Sequence, residues 1–189
     1  CRARNHARSR RGSSLTLGGR HIMRALKIAA IVSIASATFC RADSPLAPPG
    51  RYTEKSPDGS IMAISDPKTS TTVFQNTTTK KVLWRLPSWE RSLFVANDGK
   101  HVVVGYSGLN LIPQGYDEGM VLFTFWREGK KVREVTLKEF ISNKSQPQKT
   151  ASHYHWGSIE KIGPDGNLIV RDAQHKVSRY SLETGLELK

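Results

Sequence analysis

The chain has few cysteines, and both precede the part of the sequence that has the pattern of a folded domain. Cys1 and Cys40 are the two cysteines among 189 residues, so no cysteine follows residue 40. A disulfide framework, a zinc–thiolate site, an iron–sulfur cluster and a thiol nucleophile all need cysteine. The sequence therefore excludes these sites from everything after residue 40.

Acidic residues are missing from the first 42 positions, and this distorts the charge of the whole chain. The net charge is +13, and residues 1–42 supply nine basic side chains and no acidic one. Residues 43–189 therefore carry 20 basic and 16 acidic side chains, a net charge of +4. Affinity for nucleic acid depends on clustered basic side chains that contact phosphates. A surface on which 16 acidic side chains are interspersed with 20 basic ones does not supply such clusters. We expect no nucleic-acid partner.

The chain also lacks an uncharged apolar run long enough for a membrane helix. Ile28–Ala37 has ten residues, whereas a transmembrane helix needs about 20. It follows the basic segment Met23–Lys27 and precedes small residues, an order typical of a secretory signal peptide. We predict a signal peptide over 23–42, cleavage before Asp43 and a periplasmic or secreted protein without a membrane span. A retained anchor and a second cleavage site after Ala37 are the alternatives.

Residues 1–22 are rich in Arg, Ser and Gly, and a signal peptide does not require them. We interpret them as a mis-started or non-structural leader. The alternative is an organellar transit peptide, which has a similar composition. In both cases they contribute nothing to the fold prediction.

Residues 43–50 form a Pro-rich spacer, and residues 51–189 have the pattern of a single β domain. Short runs of β-branched and aromatic residues alternate with Gly- and Asp-containing turns, which is typical of strands. A hairpin loop is expected over Arg127–Lys131, and a short helix is expected near 136–141. Trp84, Trp89 and Trp126 lie in or beside these strands and are expected in the core or between strand units.

An Asp-Gly turn recurs three times before an apolar strand, at Asp58-Gly59, Asp98-Gly99 and Asp165-Gly166. The aspartates are 40 and then 67 residues apart, and the extra length of the middle unit lies in Ser107–Gly119 and Ser142–Gly157. A repeat of about 40 residues built from strands and tight turns is typical of propeller blades.

This repeat resembles the blades of bacterial exported propeller proteins of the TolB and WD40-like type. Ser56-Pro57-Asp58-Gly59 opens the unit, and Lys81-Val82-Leu83-Trp84 closes it. The resemblance implies an all-β fold of about three blade-like units. Closed propellers have about 4–8 blades, so the arrangement is partial or open, or two chains complete a ring as a homodimer. A small barrel is the other alternative, and the resemblance transfers no functional residues.

The segment His153-Tyr154-His155-Trp156 has the most unusual local composition. In a strand, the two histidines project from one face and the two aromatic residues from the other. Two imidazoles can begin a metal site, with His101 or His175 as a third ligand, but such sites need three or four ligands. The alternatives are a ligand-binding rim and plain aromatic packing. We assign the segment to ligand binding and expect it beside Ser107–Gly119, on a concave surface.

A second candidate group is Tyr116-Asp117-Glu118, which precedes a strand. Adjacent carboxylates usually belong to a solvated turn, although a cationic ligand can also use them. We include these three residues in the predicted ligand-binding set. No catalytic residue, metal or cofactor is assigned.

Taken together, these patterns predict an exported β-repeat protein that acts as a binding or interaction module. Its partner is an unknown protein or small ligand. The alternative function is a small periplasmic hydrolase or metal-dependent enzyme that uses His153 and His155.

The signal-peptide interpretation makes one direct prediction. The mature protein begins at or near Asp43, because the small residues Cys40 and Ala42 occupy the positions that signal peptidase prefers. N-terminal sequencing of protein recovered from the extracellular or periplasmic fraction tests this. A mature chain that retains Met23 would contradict it.

Overall fold

The computed structural model describes residues 45–142 and 146–189, which form fifteen β-strands and one α-helix. The predicted leader 1–22, the predicted signal peptide 23–42 and the first two residues of the spacer lie outside the described residues. Within the described ranges, no helix is long and apolar enough to cross a membrane.

Three sheets are four-stranded and antiparallel, and a smaller sheet joins two insertions. The first sheet contains β1 (Tyr52–Lys55), β2 (Ile61–Asp66), β3 (Thr71–Asn76) and β4 (Val82–Leu86). The middle sheet contains β5 (Leu93–Val95), β6 (His101–Gly105), β8 (Val121–Arg127) and β9 (Lys130–Thr136). Strand β7 (Leu111–Pro113) lies between β6 and β8 in the sequence but belongs to the smaller sheet. Helix α1 (Leu137–Ser142) follows, and β10 (Gln148–Lys149) and β11 (His153–His155) join β7 in the smaller sheet. The last sheet contains β12 (Gly157–Ile162), β13 (Leu168–Asp172), β14 (Val177–Tyr180) and β15 (Glu187–Leu188).

The middle sheet is covered on both faces. Val102 packs with Phe74 and Leu86 of the first sheet, whereas its neighbour Val103 belongs to a second core cluster that includes Leu168 and Val170 of the last sheet. Four of the five residues of β6 are buried, but buried and partly exposed residues alternate along β2. This is the pattern expected of a strand buried on two faces beside a strand buried on one.

The strand order sends the connections to two opposite ends of the sheets. In a four-stranded meander, the first and third turns lie at one end and the second turn lies at the other. The three Asp-Gly turns therefore share one end, where the backbone N–H of Asp58 donates to Asn97 Oδ1 at 3.1 Å. We call this the Asp-Gly end. The insertions after β6 and β9 leave from the opposite end, which we call the insertion end.

The three Asp-Gly turns share the same hydrogen bond and the same glycine conformation. Each aspartate accepts a hydrogen bond from the backbone N–H two residues later, at 2.9 Å for Asp58, 2.8 Å for Asp98 and 3.3 Å for Asp165. The glycine that follows has a φ of 74°, 68° and 76° respectively. Glycine adopts these angles without steric cost, and the short carboxylate closes the turn.

These features confirm the predicted fold class: the described chain is all-β, with three blade-like sheets and one short helix. The helix spans 137–142, and the backbone N–H of Glu139 donates to Thr136 Oγ1 at 3.3 Å as an N-cap. The predicted five-residue hairpin loop is shorter in the structure. Only Glu128 and Gly129 separate β8 from β9, and φ angles of 48° and 79° let this two-residue turn match the twist of the strands.

A substitution at Gly157, the first residue of β12, tests the close approach of β12 to β13. Gly157 has a φ of 141°, and a Cβ there would lie 3.0 Å from Asp172 Cα and closer still to Arg171 O. Because backbone atoms cannot move aside, we expect Gly157→Ala to lower the free energy of unfolding by ~3 kcal/mol or more.

Gly59→Ala is the matched control, since its φ is also positive but no atom lies within 4 Å of the added Cβ. It should cost about 1 kcal/mol. Urea denaturation followed by tryptophan fluorescence measures both variants. Equal losses would contradict the close approach of β12 and β13.

Candidate functional site

The two insertions of the middle unit form one structure at the insertion end. Strand β11 pairs antiparallel with β7, so that His153 lies opposite Pro113 and His155 lies opposite Leu111. The backbone N–H of Trp156 also donates to Asn110 O at 3.2 Å. The expectation that the His153–Trp156 segment lies beside Ser107–Gly119 is therefore confirmed.

Trp156 is part of the core. Its side chain is 2 % exposed and packs edge-on against Phe140, with ring centroids 5.4 Å apart. Its indole N–H donates to Leu109 O at 2.8 Å. Trp156 therefore anchors the first insertion to the core, and its buried ring does not form part of a surface that a ligand would contact.

Tyr154 and Tyr116 come together, but on the core side of the small sheet. Their rings meet edge to face at 5.5 Å, and both pack against the larger core cluster. Because side chains alternate along a strand, His153 and His155 project from the opposite face of β11.

The two predicted carboxylates lie apart from the histidines, in an exposed turn. Asp117 Oδ1 accepts a hydrogen bond from the backbone N–H of Gly119 at 2.8 Å, and Glu118 O accepts one from the backbone N–H of Lys138 at 2.7 Å. Neither lines the groove described next. Their contacts are those of a turn before β8, and their role in ligand binding stays a prediction.

A groove of about 1160 Å³ opens at the insertion end. One wall is the first insertion together with His153 of the second, and the opposite wall is the Pro-rich segment 45–50. Three aromatic residues also line it, exposed Tyr52 and half-buried Trp89 and Tyr106. Aliphatic side chains such as Leu109, which is 42 % exposed, make most of the remaining surface apolar.

The groove is basic. Arg51, Arg91 and His153 line it, and none of the described residues that line it is acidic. Arg51 has no hydrogen-bond or ion-pair partner among the described residues, whereas the Arg91 guanidinium lies 5.4 Å from the centroid of the Trp89 ring. An apolar surface with two arginines and no carboxylate among its described lining residues favours a ligand that combines apolar groups with negative charge.

Trp89 is a groove residue that sequence reasoning assigned to the core. Trp84 and Trp126 do pack against the core cluster of the first sheet, and Trp84 stacks on Phe74 at 3.7 Å. Trp89 instead lies in the connection between β4 and β5, where its indole N–H donates to Gly50 O at 2.9 Å. The available signal was position: Trp89 follows Pro87-Ser88, outside any alternating apolar run.

A second concavity of about 320 Å³ lies at the Asp-Gly end, between the middle and last sheets. Buried His101 places Nδ1 2.5 Å from Asp98 Oδ2 and Nε2 3.5 Å from Glu183 Oε1. Burial by itself would raise the pKa of Asp98, but hydrogen bonds from the His101 side chain and from two backbone N–H groups lower it below its usual range. Arg127 pairs with Glu183 and Arg179 with Asp165, so the carboxylates of this concavity are already paired with basic groups.

In the part of the chain that the structure describes, no further metal ligands join the predicted pair His153 and His155. Among the described residues, no three His, Cys, Asp or Glu side chains are placed to hold a metal ion together. His155 does have an altered titration. Burial lowers its pKa below the ordinary 6.5, and repulsion from His175 lowers it further.

The lowered pKa of His155 predicts how stability responds to acid. The unfolded chain takes up this proton at a higher pH than the folded chain, so stability is lost as the pH falls from about 6.5 towards the folded pKa. His175→Asn removes the repelling charge and suits the positive φ of 68° at that position.

We therefore expect His175→Asn to raise the pKa of His155 and to reduce the loss of stability in acid. NMR titration of the imidazole resonances measures the pKa. Gln174→Asn, a neutral change at the neighbouring position, should leave it unaltered. A His155 that titrates at or above 6.5 in the unaltered chain would contradict the prediction.

Comparison with known proteins assigns no family. No protein-family model matches the chain, and no curated protein matches it. Among solved structures it is similar to the WD40 repeats of RRP9 (10% identity, TM-score 0.40, covering 77% of this chain and 39% of that chain). It is also similar to hydrazine synthase of Kuenenia stuttgartiensis (15% identity, TM-score 0.37, 72% and 35%) and to a eukaryotic initiation factor (15%, 0.36, 73% and 34%). The chain thus spans about a third to two fifths of the length of these structures, and its own strand order defines the three blade-like sheets.

Proposed function

We propose that this chain is a binding module whose groove at the insertion end takes up an extended segment of a partner protein. The observation that carries the proposal is the groove itself: about 1160 Å³, lined by aromatic and aliphatic side chains and by basic groups without acidic ones. Pockets for small ligands have volumes of about 300–1,000 Å³, so an open groove of this size suits a peptide segment.

The charge of the groove defines the partner further. Arg51 is exposed and unpaired among the described residues, and Arg91 and His153 line the same surface. A partner segment that carries a carboxylate beside apolar residues complements this arrangement. Long-range attraction between the two would also speed their encounter.

The position of the groove supports the same conclusion. Binding residues are often carried by loops that a rigid scaffold positions. Here the middle sheet is the scaffold, and the insertions that contain Leu109 and His153 are the extra loops. The alternative function, an enzyme that uses His153 and His155, has less support, because none of the described residues that line the groove is a carboxylate able to orient a catalytic histidine. Export, through residues 23–42, remains part of the proposal.

Selection from a random peptide display library tests the proposed function. We expect the purified chain to enrich apolar peptides that carry negative charge. We also expect Leu109→Asp to weaken their binding at least about tenfold, because it places a negative charge in the groove. Leu109 has a φ of 60°, which aspartate tolerates, so the variant should fold normally.

Leu186→Asp is the matched control, since Leu186 is 51 % exposed and lies outside the groove. It should leave peptide affinity unchanged, as measured by fluorescence anisotropy. A library that yields no peptide sensitive to Leu109→Asp would disprove the proposal.

A further inference from the structure

The Pro-rich segment 45–50 lies along one edge of the groove and forms no strand. All six of its residues are exposed. Its sequence, Pro-Leu-Ala-Pro-Pro-Gly, restricts its shape covalently, because proline fixes its own φ and pushes the preceding residue towards an extended conformation. The segment is therefore biased towards the polyproline II helix, which has three residues per turn and no internal hydrogen bonds.

Two side chains of the β4–β5 connection hold this segment by its carbonyl oxygens. Trp89 donates its indole N–H to Gly50 O at 2.9 Å, and Arg91 donates from Nη2 to Ala47 O at 2.5 Å. Ala47 and Gly50 are three residues apart, which is one turn of a polyproline II helix, so such a helix presents both carbonyls on the same side. Because these carbonyls have no partner within the helix, a pair of donors at this spacing suits it.

The surface beside this contact has the remaining features of a proline-binding groove. Grooves that recognise proline-rich segments are lined by aromatic side chains, against which the flat pyrrolidine rings pack. Tyr52, Trp89 and Tyr106 line this groove, and the segment 45–50 covers only one edge of it. The exposed side chains of the segment show that it buries little surface, so a competing segment has little to displace.

We propose that the partner segment is proline-rich. In the absence of the partner, residues 45–50 of the same chain bind the Trp89 and Arg91 donors in its place. The inference rests on the proposed function for the groove, and it names the class of partner. A proline-rich segment of the partner takes the two donors from residues 45–50 and extends across Tyr106 towards Leu109. A carboxylate near that segment would meet Arg51.

The test uses the full chain and a synthetic probe with the sequence of residues 45–50, capped at both ends. We expect the indole N–H resonance of Trp89 to shift as the probe is added, and the same hexapeptide with alanine for each proline to have no effect. Pro48→Ala with Pro49→Ala in the chain weakens the binding of residues 45–50. This double variant should bind the probe about threefold or more tightly, because more of the site is then vacant.

Trp89→Phe separates recognition from packing, since it keeps an aromatic ring but removes the N–H donor. We expect it to abolish probe binding, as measured through the resonances of Tyr106, and to leave the melting temperature nearly unchanged. Trp126→Phe, the same change at a partly buried tryptophan outside the groove, is the control that keeps binding. An alanine probe that binds as well as the proline probe would overturn the inference, and so would a Trp89→Phe variant that binds normally.

The peptides selected from the display library distinguish this inference from the proposed function. The selected peptides could carry no proline, lose their binding to the Leu109→Asp variant and bind the Trp89→Phe variant normally. That result would overturn the inference and leave the groove as the binding site. If no selected peptide depends on Leu109 but the proline probe still requires Trp89, the apolar, negatively charged partner of the proposed function is ruled out, and proline recognition at Trp89 stands.

Discussion

The burial of the middle sheet on both faces is the constraint on which the rest of this structure depends. Its strand β6 turns Val102 towards the first sheet and Val103 towards the last, so one strand contributes to both core clusters. Each outer sheet then needs only one apolar face. Both faces of the middle sheet and one face of each outer sheet are therefore used for packing. The connections at the sheet ends are the places where additional functional residues can be inserted.

The two ends of the sheets carry different chemistry as a result. At the Asp-Gly end the connections are tight, and their polar groups are used within the protein: Asp98 closes its own turn and contacts His101, which in turn faces Glu183 of the last sheet. This end ties neighbouring sheets together. At the insertion end the middle sheet carries its two long insertions, and exposed side chains there include Leu109 of the first insertion and Arg51, which precedes β1.

The groove has one firmly held wall and one weakly held wall. The insertion wall is anchored by Trp156, whose ring is buried against Phe140 and whose N–H binds Leu109 O. The opposite wall, residues 45–50, is exposed and attached through the donors Trp89 and Arg91. A binding site with this construction keeps its shape on one side while the other side can yield to a partner. That asymmetry underlies both the proposed binding function and the proposed competition with a proline-rich segment.

The sequence by itself determined the features that depend on a few neighbouring residues. The Asp-Gly turns, the Thr136 cap of the helix and the alternation along the outer strands were all predictable, because each is a local steric or hydrogen-bonding preference. The neighbouring position of the two insertions was expected only from the excess length of the middle unit, and the pairing of β7 with β11 was not predicted. Tertiary structure decided that Trp156 is core and that Trp89 lies in the groove. The position of Trp89 outside an alternating apolar run sets it apart from a strand residue, but it does not show which surface the ring joins. Trp89 meets Gly50 across 39 positions, and only the packing of whole sheets brings such residues together.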